Sequence, residues 1–445
     1  MVNNMVVKKD ESLKNYLNKL SIDFFDNCSL ILLSIWVLYP LVMMILNTFN
    51  EKEFSRDVMY YVLYGIGCLG ILIGTIYTIK KLYNEKFSIK KYLPIIIFIL
   101  LLIWCLISCF TSIHLYRSIK GTIYRKEGLL TYIFYFGVLL LGIMLKKEKS
   151  RKILLNELLI MEIIISIISL MNNNITHLLT YNQEPYDGIF SQFNHYGYYL
   201  LFGIISSIFL FINSNKKYQK IIYMLIYMLL LHTLIMNDTF GCFLAILFTL
   251  ILITIYYRKN IKKIILILIS FILICSCTFR NGQNVVVKNF ILLQSDSKQI
   301  EKALKKKKLK EIDSIGTTRG VLWRVGIEYA LKKPITGYGI ENLEQIYVKK
   351  WIPQDRPHNI FVQFMAFTGI PGMLIYMLFI YIVIKRGFHK IKELDGINLL
   401  SFFMIICYLV SSMVGNSMFY TSPYYFIFLG ILMSNLFYND KKILL

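Results

Sequence analysis

The chain has 445 residues, 56% of them hydrophobic, with a mean hydropathy of +0.57 and a formal net charge of +23. Soluble domains run at about 45–50% apolar, and apolar runs of about 17–25 residues, long enough to cross a hydrocarbon core, recur here; a soluble domain is excluded, and so is a β-barrel, which would show short alternating segments. The positive charge is not a nucleic-acid footprint, because most lysines sit in short clusters between the apolar runs, the pattern of cytoplasmic loops in a multi-pass membrane protein.

The N-terminal stretch carries Lys8, Lys9, Lys14 and Lys19 and has no clear small-residue cleavage site, so it is expected to remain, uncleaved, in the cytoplasm. Apolar spans are expected at about 29–46, 58–79, 93–113, 129–145, 153–171, 196–212, 221–236, 240–257 and 264–279, then one ending at Lys385, and two more at 397–418 and 424–437. Every second gap is short and basic. Lys80, Lys81, Lys86, Lys90 and Lys91 follow the second span, and Lys146, Lys147, Lys149, Arg151 and Lys152 the fourth. Similar clusters follow the sixth (Lys216, Lys217, Lys220), the eighth (Arg258, Lys259, Lys262, Lys263) and the tenth (Lys385, Arg386, Lys390, Lys392), and Lys441 and Lys442 close the chain. The alternation predicts an all-α polytopic membrane protein of about twelve transmembrane helices with both termini cytoplasmic. Residues 1–445 read as one integral membrane domain, with a long extracytoplasmic loop, 280–357, between spans nine and ten. The eight cysteines fall mostly inside apolar spans with no ligand spacing, and Cys275 and Cys277 read as small buried hydrophobes.

Two outward segments break the lysine pattern. HLYRSIKGTIYRKEG, residues 114–128, carries Arg117, Lys120, Arg125 and Lys126. Either the stronger inside clusters outvote it or it is an anion site on the outer face. The long loop exceeds roughly 60 residues, so its charge is no guide to topology. Its run Lys305–Lys308 reads as a solvated helix face.

Residues 317–372, TTRGVLWRVGIEYALKKPITGYGIENLEQIYVKKWIPQDRPHNIFVQFMAFTGIPG, form the only long polar segment among the spans. The first part predicts a helix, with Thr317 or Thr318 as cap, Leu322, Val325 and Tyr329 at helical spacing, Pro334 as stop, and a tight turn at Gly337 and Gly339. Arg319 and Trp323 share a face, as an interfacial anchor or a phosphate contact, and Arg324 points elsewhere. His358 lies between Pro357 and Asn359, where the next span begins. Asn359 can cap that helix, and the partial positive charge of a helix N-terminus would keep His358 neutral, as a general base must be; an interfacial histidine without chemistry is the other reading. Gly369-Ile370-Pro371-Gly372 interrupts the span, and a kink is expected at Pro371.

Arg319, Trp323, Pro334, Gly337 and Gly339, followed by His358, Asn359, Gly369 and Gly372, stand in an order that resembles the O-antigen ligase and polymerase family. GIFSQFNHYGYYL, residues 188–200, with Asn194 and Gly197, is similar to that family's G-x-F-x-N-x-N segment. The resemblance implies a glycan transferred from an undecaprenyl-pyrophosphate carrier to a hydroxyl of an acceptor glycan. Transfer would occur at the outer face of a bacterial cytoplasmic membrane, with inversion and without metal or other cofactor. It implies His358 as the base, Arg319 or Arg324 together with Arg356 on the pyrophosphate, and Asn359, Asn194 and Trp323 in support. The family's Ser-Arg-Gly element is replaced here by Asp238-Thr239-Phe240-Gly241, so Arg117 or Arg125 is the expected substitute cation. The Lys-, Ile- and Asn-rich composition hints at an AT-rich genome and a cell without an outer membrane. A surface-polysaccharide polymerase is therefore expected ahead of an O-antigen ligase or a protein O-glycan ligase. The expected partners are the bilayer, both glycans and other polysaccharide-assembly membrane proteins, with no nucleic acid.

The leaving group asks for such residues, because arginine forks match phosphate oxygens bidentately and an acceptor hydroxyl needs a base. Two other classes remain. A lipid-linked oligosaccharide flippase or transporter suits many spans and would use Glu162, which could instead be hydrogen-bonded to His232. A metal-dependent transferase would draw on Glu51, Glu53 and Asp57 of the first outer loop.

Overall fold

A computed structural model of the chain describes residues 14, 16–49, 52–85, 87–171, 186, 188–190, 193–305, 312–416 and 418–438. Lys8, Lys9, Glu51, Lys86, Lys306–Lys308, Lys441 and Lys442 lie outside the described residues. The described part is helical apart from a short hairpin. In chain order the helices are α1 (Ile22–Phe49), α2 (Lys52–Asn84), α3 (Ile89–Phe110), α4 (Leu115–Lys120), α5 (Leu129–Met144), α6 (Glu148–Leu170), α7 (Phe193–Asn213), α8 (Lys217–Asn237), α9 (Phe240–Tyr256) and α10 (Ile261–Cys277). The hairpin β1 (Phe279–Arg280) and β2 (Gln283–Asn284) follows, then α11 (Val285–Lys305), α12 (Ile315–Lys332), α13 (Leu343–Val348), α14 (Ile360–His389), α15 (Gly396–Ser412) and α16 (Ser422–Tyr438).

Among the described residues eight helices, not twelve, are long and apolar enough to cross a membrane: α1, α2, α3, α6, α7, α8, α10 and α14. The four remaining expected spans became α5, α9, α15 and α16, which have only 16 or 17 residues each, short of the roughly 20 a span requires. Hydropathy did not separate the two groups, because burial against protein and burial in lipid select the same side chains. α5 and α16 are enclosed by neighbours on nearly every side. Glycines let their backbones approach closely: Gly137 of α5 lies against Gly67 and Gly70 of α2, and Gly142 against Gly430 of α16. α7 is buried over 94% of its most apolar window and forms the centre of the other half.

The helix ends gather at two rims. At the lysine rim Asp26 of α1 accepts from the backbone N–H groups of Lys146 and Lys147, at 2.6 and 2.7 Å, and from Ser150 Oγ at 2.5 Å. Arg151 reaches Asn398 at 2.9 Å, and Lys263 Nζ donates to Ser214 O at 3.2 Å. At the opposite rim lie the 111–128 segment, the start of α7, the insertion, the start of α14 and the turn between α15 and α16. Asp57, at the start of α2 there, is held 2.9 Å from Lys126. Within the bundle His232 Nδ1 pairs with Thr278 Oγ1 at 3.0 Å and not with Glu162, which lies against Gly203. Cys275 is half-buried and Cys277 lies at the exposed end of α10, and both are free.

Candidate active site

The long polar segment folds onto a broken helix. α14 is interrupted at Gly369, whose φ of +75° is a left-handed conformation that glycine adopts without strain; the break precedes the expected one at Pro371. A break frees carbonyls, and these must find donors inside a membrane. Tyr338 N donates to Ala366 O and Gly339 N to Phe367 O, both at 2.9 Å; Ser108 Oγ of α3 also reaches Phe367 O, and Trp104 Nε1 reaches Thr368 O at 2.8 Å. Ile370 N donates in turn to Pro334 O at 2.7 Å. Gly337 and Gly339, with φ of +67° and +87°, shape the chain for this docking. The Pro-x2-Gly-x-Gly turn is therefore the clamp of a broken span.

α12 starts at Ile315 with Ser314 at its N-cap position, so Thr317 and Thr318 fall within its first turn and are not its cap. Leu322 and Val325 are buried, as their spacing predicted. Gly326 faces Val362 and Tyr347, which brings α12 against the start of α14. There Asn359 caps α14, its Oδ1 accepting from Phe361 N and Val362 N at 3.0 Å. Its Nδ2 donates to Met413 O at 2.9 Å, tying the cap to the turn after α15.

The five arginines singled out in the sequence occupy different settings. Arg117 is paired with Glu344. Arg125 is buried and bidentate on Asp355, at 2.6 and 3.0 Å, with Nη1 3.3 Å from His195 Nε2. Arg356 is 1% exposed and lies between Glu127, at 2.6 Å, and Glu341. Glu127 also accepts from Tyr135 OH at 2.6 Å. Arg324 is bidentate on Asp313, at 2.7 and 2.6 Å, on the side of α12 away from these groups. Arg319 alone of the five has no carboxylate partner among the described residues; it donates only to Gly316 O, at 3.5 Å, and its buried Nε has no hydrogen-bond partner.

His358 has φ +52°, a left-handed conformation that is uncommon outside glycine. Its Nε2 lies 3.3 Å from Asn416 Nδ2, and its buried Nδ1 has no hydrogen-bond partner among the described residues. Burial pulls its pKa down to about 4, assisted by the Arg319 charge and then by Arg125. The neutral ring is favoured by burial and two guanidiniums, where the sequence reading had assigned that work to the helix terminus. Burial also lowers the pKa of Arg319, opposed by Tyr198, Cys242 and Asp296. For Arg356 burial disfavours the charge, but Glu341 and Glu127 outweigh it and hold the guanidinium well above its usual range. Burial likewise opposes ionisation of Asp355, and Arg125 overrides it, so the carboxyl sits well below the usual range.

The structure thus brings together Arg319, His358, Asn359, Arg125 and Arg356, and leaves Arg324 and Arg117 in separate ion pairs. Trp323, one turn after Arg319 on α12, packs partly buried against the core, its Nε1 without a hydrogen-bond partner among the described residues. Asn194 is half-buried in the first turn of α7, and its neighbour His195 is the one that reaches Arg125. In the stretch 238–241, where the family's arginine is missing, Asp238 accepts from Lys288 at 2.9 Å and Asn289 at 2.6 Å. Of the run Lys305–Lys308 only Lys305 is described, and it pairs with Glu301 at 2.6 Å on an exposed face. Sequence reasoning missed Glu127, Glu341, Asp355, His195 and Asn416. Asp355 was legible as the acid next to Arg356, and Glu127 as the acid at the end of a basic loop; nothing local marked the other three.

Comparison with curated proteins gives no match. Residues 225–377 match the family described as O-Antigen ligase; the match runs from within α8 to within α14 and contains Arg319, Trp323, the glycine turn and His358, while Arg125 and His195 lie outside it. The chain is thus a multi-pass membrane protein that carries an O-antigen ligase family domain over about a third of its length.

Proposed function

We propose that the chain transfers a glycan from a polyprenyl-diphosphate carrier to an acceptor hydroxyl, at the rim where Arg319 and His358 meet. The observation that carries this reading is a half-buried guanidinium that has no carboxylate partner among the described residues and whose charge bears on an imidazole held neutral by burial. As the glycosidic bond breaks, its electron pair goes to the diphosphate oxygen, and the Arg319 fork stabilises the charge there. The acceptor oxygen bonds to the anomeric carbon from the opposite side, which inverts it, and gives its proton to His358. The lysine rim is assigned to the cytoplasm, which places the site on the outer face. Arg125 contributes field from its pair with Asp355, and Arg356 holds the loop. Residues 1–445 act as one membrane domain, and the 280–357 insertion supplies Arg319.

Among the three jobs open to the family, polymerisation, O-antigen ligation and protein O-glycan ligation, the description of the matched domain favours ligation, in which a finished glycan passes to a different acceptor; composition had pointed to polymerisation. The test uses the full chain in liposomes with the lipid-linked oligosaccharide fraction extracted from cells lacking it. His358→Ala should lower transfer by about 10²–10⁴-fold while the protein still inserts; normal product from this variant sinks the proposal. A single-length product that needs an added acceptor marks a ligase, and a ladder from the donor alone marks a polymerase. Flux of intact lipid-linked glycan without transfer would support the transporter class.

A further inference from the structure

A neutral imidazole can serve as a base only at the nitrogen that carries no proton, and which nitrogen that is depends on the hydrogen bond the other one makes. Among the described residues, the hydrogen-bond partner of the His358 ring is Asn416, 3.3 Å from Nε2 and 2% exposed, in the turn between α15 and α16. Its Oδ1 has no hydrogen-bond partner among the described residues, and neither has His358 Nδ1. The two ends of an amide have the same shape, so either can face the ring. If Nδ2 faces Nε2, the ring accepts there, Nδ1 must hold the proton, and no nitrogen is left to act as a base. If Oδ1 faces Nε2, the ring donates there and Nδ1 keeps a bare lone pair.

We propose that Asn416 is a positioning residue that fixes His358 as the Nε2–H tautomer through its Oδ1, leaving Nδ1 as the base. The inference rests on the reading of His358 as the acceptor's base. The same turn is clipped twice: Asn359 Nδ2 holds Met413 O, and Asn416 holds the adjacent His358. His358 has a left-handed backbone, which fixes where its ring begins, and the turn fixes how the ring is rotated. The other groups that bear on the ring are Arg319 of α12, Arg125 of the 121–128 segment, Asp355 and Arg356 just before it, and His195 of α7. Of these only Asp355 is an anion, and it is engaged by Arg125. Among the described residues no other anion that bears on the ring competes with Asn416 for Nε2–H.

The test reads the tautomer directly and needs no substrate. Protein labelled with ¹⁵N-histidine is studied by solid-state NMR in liposomes, with the His358 signals assigned by their loss in His358→Gln. At pH 7 the wild type should show a protonated Nε2 and a bare Nδ1, and Asn416→Ala should show both tautomers. Asn416→Asp places a carboxylate on Nε2–H, so it keeps the wild-type tautomer and should move the ring's titration upward by about 1–3 pH units. Transfer of the lipid-linked oligosaccharide fraction should fall about tenfold in Asn416→Ala, the equivalent of one hydrogen bond. In Asn416→Asp it should stay near normal at pH 8, with its acid limb displaced upward. A protonated Nδ1 in the wild type, or an Asn416→Asp titration that does not move, overturns the assignment to Asn416. Full transfer by His358→Gln would instead remove the base itself, a result that the NMR tautomer does not affect.

Discussion

Replacing Arg356 by alanine separates a scaffold role from a donor-binding role. The sequence placed this arginine beside the pyrophosphate, but the structure sets it between Glu127 and Glu341, with exposures of 1%, 0% and 4%. One of its contacts is 2.6 Å and the other is closer. Removing the cation leaves two buried carboxylates without compensation. Breaking a buried pair in this way costs about 3–5 kcal/mol, or roughly 10²–10⁴ in a folding equilibrium. The loss should therefore appear in the amount and stability of the protein before it appears in catalysis. The assay is SDS titration of detergent-solubilised protein, with the monodisperse fraction on size exclusion as a second measure. Arg356→Ala should shift half-denaturation sharply downward. A combined Arg356→Met, Glu127→Gln and Glu341→Gln variant should recover much of it, because no unpaired charge is then buried. Wild-type resistance to SDS in Arg356→Ala, together with a raised KM for the lipid-linked donor, would refute the scaffold assignment and return Arg356 to the donor.

Arg319→Ala should lower kcat/KM for the lipid-linked donor by about 10²–10³, the loss of one well-placed donor to the leaving group. Arg319→Lys should restore only part of this, since an ammonium cannot fork across two oxygens. Arg324→Ala serves as the control: its partly exposed pair with Asp313 is worth about 0–1 kcal/mol, so kinetics of the folded protein should barely change. The pH profile of kcat/KM should be flat from about pH 8 down to pH 5 and fall as the pH drops through about 4, where His358 takes a proton. The same lowered pKa makes His358 a source of stability that is complete above its usual value near 6.5 and is lost as pH falls through about 4; an acid limb at pH 6–7 would contradict its burial.

The local chemistry of the long polar segment was legible in the sequence because each signal there has a local cause. Asn359 caps α14 because a side-chain oxygen two residues upstream can reach free N–H groups, and Pro334 ends α12 because it has no N–H to give. Gly337 and Gly339 announced a turn, but not that the turn docks on carbonyls freed at Gly369, since that pairing joins distant parts of the chain. The span count failed for a different reason: α5 and α16 are apolar because they are enclosed by protein, and a hydropathy window cannot distinguish that from lipid. The partners of Arg125 and Arg356 were hidden for the same reason as the docking. Asp355 is adjacent in sequence to Arg356, yet it pairs with Arg125, 230 positions away.

The transfer chemistry depends on a diphosphate reaching Arg319. A cryo-electron microscopy structure of the full chain with undecaprenyl diphosphate in lipid nanodiscs measures this. The account predicts phosphate oxygens about 2.7–2.9 Å from the Arg319 guanidinium, with the His358 ring facing the space where the acceptor would enter. A diphosphate seated at the lysine rim, or held by Arg324 and Arg117 with Arg319 untouched, would contradict it.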